Sequence, residues 1–194
     1  MNRLIVAAIR CSLTFILPTV AYAISSQWDL DPILGDWNTA ASWTPTGAPN
    51  GPADIATFGL SNTTDVSISA DTEVNGITFT AAATNPYTVT ASPGLTLTIS
   101  GVGITNNSGT TQNFIAAAGK NGALGEIAFT NSASAGNANI LSEGGSVQFS
   151  NRSTASSATI TNEDYGTTNF FDRSTSGSCL PCQNDNKFLI TERS

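Results

Sequence analysis

Side chains that move protons, hold metals or attack carbon are scarce in this sequence. It contains no histidine, which excludes Ser-His-Asp and Cys-His groupings and the usual zinc sites. Carboxylates remain. Asp65, Asp71 and Glu73 share one early segment, and paired carboxylates can cut a sugar polymer. These three are spread across a turn with no second cluster to meet them, so they read as solvated turn residues. Glu143 and Glu163 recur at one repeat position with Asp164 adjacent. Stacked carboxylates could recruit calcium, but the glycine-aspartate pattern of calcium-binding rolls is absent, and these too read as solvated. Cys179-Leu180-Pro181-Cys182 has the spacing of a redox pair without the βαβ setting such a pair needs. It reads as a local disulfide or a chance pair. No catalytic residue, metal site or cofactor is expected.

Trp28, Trp37 and Trp43 are the remaining candidates. Their faces could stack on sugar rings as a glycan platform. The alternative is a cap, since the first turn of a repeating β-structure has an open apolar end and unpaired edges. The surrounding prolines and irregular pattern favour the cap.

The elements that must carry these residues are strands. "DVSISA", "VNGITFT", "YTVTA", "LTLTISG" and "VGITN" are short, β-branched or aromatic, alternating, and bounded by Gly, Asn, Asp or Pro. After residue 23 no stretch sustains helical spacing over three turns. The fold class is all-β.

Repetition selects the architecture. "FTNSASAGNANI" (129–140) is answered by "FSNRSTASSATI" (149–160), and Phe129, Phe149 and Phe170 stand 20 and 21 residues apart. Asn131, Asn151 and Asp172 follow each Phe by two; Ile140, Ile160 and Pro181 follow by eleven. A period near twenty indicates a solenoid, because copies spaced about 4.8 Å apart stack like on like. The three Phe should form an aromatic column, with Ile140 and Ile160 an aliphatic one beside it. The Asn/Asp positions suit left-handed turns and a ladder of side-chain hydrogen bonds.

The units "FTNSASAGNANILSEGGS" and "FSNRSTASSATITNEDYG" resemble the phenylalanine-led repeats of autotransporter-like bacterial surface proteins. "GDWNTAASWTPTGAPNGPADIATFG" is similar to the Trp-rich segment that often opens them. The likeness covers roughly residues 28–177 and is specific for architecture more than for function. It implies a right-handed parallel β-helix, exported and displayed at or released from a bacterial surface. The family's C-terminal translocator barrel and a sorting anchor are not found.

Residues 1–23 support that address. Arg3 and Arg10, a short apolar run and Ala21-Tyr22-Ala23 form a signal peptide with cleavage after Ala23. The expected organisation is therefore a signal peptide (1–23), a Trp/Pro-rich N-terminal cap (24–58), a β-solenoid (59–177) and an irregular tail (178–194). In the tail, Pro181 replaces the inward Ile and should stop the strand. The break in mid-repeat predicts a fragment of a larger surface protein. Residues 24–194 carry five basic side chains against 14 acidic ones, so nucleic acid is a poor partner, and insertion of the mature chain into a membrane is not expected. The reading is a non-catalytic structural or adhesive module whose partner is a surface ligand, glycan or protein. A polysaccharide-binding or polysaccharide-cleaving β-helix is the alternative, disfavoured by only three basic residues, Lys120, Arg152 and Arg173, between cap and tail.

Overall fold

The alternating runs become strands because their Val, Ile, Leu and Phe point one way and their Thr, Asn and Gln the other. The computed structural model describes residues 23–179 together with the backbone of 182–184 and 192–193. The proposed signal peptide, apart from Ala23, lies outside the described residues.

The fold is all-β with two parallel sheets. The first runs β15 (Glu192–Arg193), β13 (Thr167–Phe171), β11 (Ser146–Phe149), β9 (Glu126–Phe129), β7 (Thr96–Asn106), β5 (Thr72–Phe79), β3 (Gly51–Phe58), β1 (Ser26–Trp28), β2 (Trp43–Thr44). The second runs β14 (Cys182–Asn184), β12 (Thr159–Glu163), β10 (Asn139–Glu143), β8 (Asn113–Ala117), β6 (Thr88–Ala91), β4 (Asp65–Ser67). From β3 onward the chain alternates between sheets, and each strand except β4, which begins the second sheet, lies parallel beside the one two before it. Among the described strands only β2 runs antiparallel to its partner, where it closes the edge of β1. A third, thinner ladder of single parallel bridges joins Gly103, Ser134, Thr154 and Thr175.

Between the sheets, like residues stack in register. On the first sheet Phe149 pairs with Phe129 and Phe170, and the line continues through Ile99 to Val74. On the second, Val66, Val89, Phe114, Ile140 and Ile160 form one line. All of these are buried, and each contributes about 1.5–3 kcal/mol of burial.

β5 and β7 are long because each serves two lines. Their first halves pair along the Val74–Ile99 line, and their second halves, after an irregularity beside Gly76, carry Phe79 opposite Asn106. Gly103 makes the change possible. Its φ is +92° and an added Cβ would run into the Ser134 backbone, so no larger residue fits at that crossing.

Two boundaries differ from the sequence expectation. β3 lies inside the segment assigned to the cap, yet pairs in parallel with β5 as a full member of the first sheet, because "DIATF" alternates like any other strand. In the tail, β14 and β15 extend both sheets. Ile160 pairs with Cys182, not with Pro181. The ladder therefore continues past the point where the sequence placed its stop, one residue out of the register that counting from Phe170 gives.

Candidate functional site

The outward side of the first sheet carries an open hollow of about 370 Å³ lined by Asn50, Asp71, Thr72, Glu73, Thr96 and Thr98. It forms where the turn before β5 meets the start of β7. Glu73 and Thr98 are in register, and both point away from the core because their neighbours Thr72, Val74, Leu97 and Ile99 point in.

Most polar atoms of the hollow fasten backbone. Asp71 Oδ1 accepts the Thr96 N–H at 2.9 Å. Asn50 Oδ1 accepts the Glu73 N–H at 2.9 Å, and its Nδ2 donates to the Asp71 carbonyl at 3.2 Å. The Thr72 hydroxyl donates to the Ala70 carbonyl and accepts from Asn38 Nδ2. The half-buried Glu73 side chain lines the hollow from the outward face of β5. One such carboxylate can accept hydrogen bonds from a hydroxyl-rich ligand, but a proton relay needs an acid and a base held together.

Asp65, expected in the same segment, sits on β4 of the other sheet opposite Thr88 and does not join Asp71 and Glu73. Further along the first sheet, Gln148 Nε2 donates to Glu126 Oε2 at 2.7 Å. Burial raises the Glu126 pKa above its ordinary value, partly offset by that hydrogen bond.

Glu143 and Glu163 pair in register on β10 and β12, both exposed. Asp164 follows at φ +48° in the turn. No group of three metal-binding side chains occurs among the described residues.

The tryptophans correct the stacking-platform reading. Trp28, Trp37 and Trp43 are 0–1% exposed, so their faces are not offered to a sugar. They pack on one another at 5.0–5.1 Å and on Phe58 at 5.5–6.1 Å. Trp43 Nε1–H donates to the Trp37 carbonyl, Trp37 Nε1–H to Pro49 and Trp28 Nε1–H to Thr63. Each indole thus buries its ring and still satisfies its one donor. Phe58 then stacks on Phe79 at 5.2 Å.

The turn positions form the ladder their residue types suit. Asn131, Asn151 and Asp172 have φ of +55°, +59° and +58°. The Asn131 N–H donates to Asn151 Oδ1, and the Asn151 N–H to Asp172 Oδ2, each at 3.0 Å. Cys179 packs against the core and is disulfide-bonded.

Sequence reasoning did not single out Asn50, Thr72, Thr96 or Thr98. The signal available was the Thr-Leu-Thr of "LTLTISG", whose alternation puts both hydroxyls on one outward face. It also passed over Tyr87, a core residue whose hydroxyl donates to the Gly59 carbonyl at 2.8 Å. Comparison with protein-family models, curated proteins and solved structures finds no match for the chain.

Proposed function

We propose that this chain is an exported, non-catalytic module of a bacterial surface or secreted protein, built as a right-handed parallel β-helix and serving a structural or adhesive role. The observation that carries the reading is the unbroken register of like residues from Val74 to Phe170 on one sheet and Val66 to Ile160 on the other. Such an array makes a stiff rod whose long faces are free to bind. Export rests on the signal-like residues 1–23, and the partner would be a surface glycan or protein. The test is a bacterial host expressing the chain with and without residues 1–23. Protein outside the cytoplasm only with the leader supports the reading; equal distribution overturns it.

The hollow at Asp71 and Glu73 favours a second reading, a polysaccharide-binding or polysaccharide-cleaving β-helix. A glycan array and an assay on uronate polymers separate the two. Turnover of any uronate polymer would replace the first reading with the second.

A further inference from the structure

The sequence holds three Asn-Gly dipeptides, at 50–51, 75–76 and 121–122. An Asn side chain followed by glycine can be attacked by the next backbone nitrogen, because glycine has no Cβ to block the approach. Whether this happens depends on how firmly both groups are held.

At the first two positions the fold holds both. The Asn50 amide is fixed by the Glu73 N–H and the Asp71 carbonyl, and Gly51 begins β3 opposite Val74. The Asn75 amide is fixed by the Val102 N–H and the Pro52 carbonyl. Gly76 lies inside β5, paired with both Ile55 and Gly103.

The third position differs in each respect. Residues 118–124 form a small hairpin closed by an antiparallel bridge between Ala118 and Leu124. Asn121 is exposed at its tip, and its side-chain amide has no hydrogen-bond partner among the described residues. Gly122 has φ +74°, and a Cβ added there would meet nothing within 4 Å. Its nitrogen is restrained by one turn bond, to the Gly119 carbonyl at 3.0 Å, in place of a ladder. Lys120, also exposed, stands beside it.

We propose that Asn121 is a site of spontaneous deamidation. The Gly122 nitrogen, having lost its proton, attacks the Asn121 Cγ and ammonia leaves, giving a cyclic succinimide. Water then opens the ring to aspartate or, by cleaving the other carbonyl–nitrogen bond, to isoaspartate. No oxidant, metal or enzyme enters. The product carries a new carboxylate next to Lys120, and the isoaspartate form lengthens the hairpin backbone by one carbon. The reaction waits only for the tip to open, which takes far less than unpairing β3 or β5.

The test is incubation of the purified chain at mildly alkaline pH, followed by peptide mass spectrometry and isoaspartate detection. Peptides containing Asn121 should gain one mass unit at least about tenfold faster than those containing Asn50 or Asn75. In concentrated urea the three rates should converge. Equal rates in the folded chain would overturn the proposal, as would modification of Asn121 in urea but not in the folded chain. Asn121→Gln should abolish the fast phase while leaving the unfolding midpoint unchanged; a fast phase that persists in that variant places the reaction elsewhere.

Discussion

Replacing Phe149 by alanine probes the aromatic column at its centre. Its ring is fully buried and stacks on Phe129 at 4.7 Å and on Phe170 at 4.8 Å, with planes within 5° and 9° of parallel. Core Phe→Ala changes cost about 3–5 kcal/mol, depending on how far the site can collapse. Collapse is hindered here, because backbone ladders on both sides fix the spacing of β9, β11 and β13. The cost should therefore lie in the upper part of that range, with each lost ring contact supplying about 0.5–1.5 kcal/mol of it. Phe170→Ala removes one such contact among the described rings and should cost about 1 kcal/mol less. Urea unfolding followed by circular dichroism gives both values, and an unchanged urea dependence shows that the same surface unfolds. The double variant should be less destabilised than the sum of the singles by at least about 0.5 kcal/mol. A cost below about 1.5 kcal/mol for Phe149→Ala, or no coupling in the cycle, would mean that the stacked rings do not act as a column.

Other residues give independent checks. With all three indoles buried, tryptophan emission should be blue-shifted and resist acrylamide, and a red, readily quenched signal would return the surface platform to consideration. Asn151→Ala should cost about 1–2 kcal/mol, combining the φ +59° strain with the lost bond from the Asn131 N–H. Asn151→Gly should cost less in the same unfolding assay, since glycine keeps the conformation and loses only the bond. Burial pushes the Tyr87 hydroxyl up to about 12 from its ordinary 10.0. The unfolded chain then ionises first, so this group's contribution is fully present below pH 10 and is lost as pH rises toward 12, by roughly 2–3 kcal/mol in all. Tyr87→Phe should remove that alkaline loss, measured as unfolding free energy on both sides of pH 10.

The repeat at residues 129–170 was legible because each circuit there has nearly one length, so the residue spacing is itself the strand register. Asn131, Asn151 and Asp172 could be assigned to left-handed turns from type and spacing together. The earlier circuits hid their register because β5 and β7 each pass through two lines, with the change made at Gly76 and Gly103. Phe79 therefore faces Asn106, and it is Val74 that shares a line with Phe129 through Ile99; neither pairing follows from counting aromatics. The tail misled for a related reason. Counting eleven from Phe170 puts Pro181 on the inward line, whereas the backbone gains one residue and places Cys182 opposite Ile160. Of the hollow only the pairing of Asp71 with Glu73 and the outward face of Thr96 and Thr98 were legible, since Asn50, Asp71 and Thr96 meet only through the pairing of β3, β5 and β7.

The tryptophan cluster on Phe58 also bears on the order in which the molecule assembles. Its members come from the first part of the chain, and each later strand finds its partner one circuit back, about 20–30 residues. Loop closure is therefore short and nearly constant at every step, with no pairing that waits for the distant terminus. Once the indoles and Phe58 have condensed, β3 presents a finished edge on which β5 can zip, then β7, each template made by its predecessor. A chain emerging N-terminus first from a narrow pore could build itself behind the pore at the pace of its delivery, and the growing ladder would hinder it from sliding back.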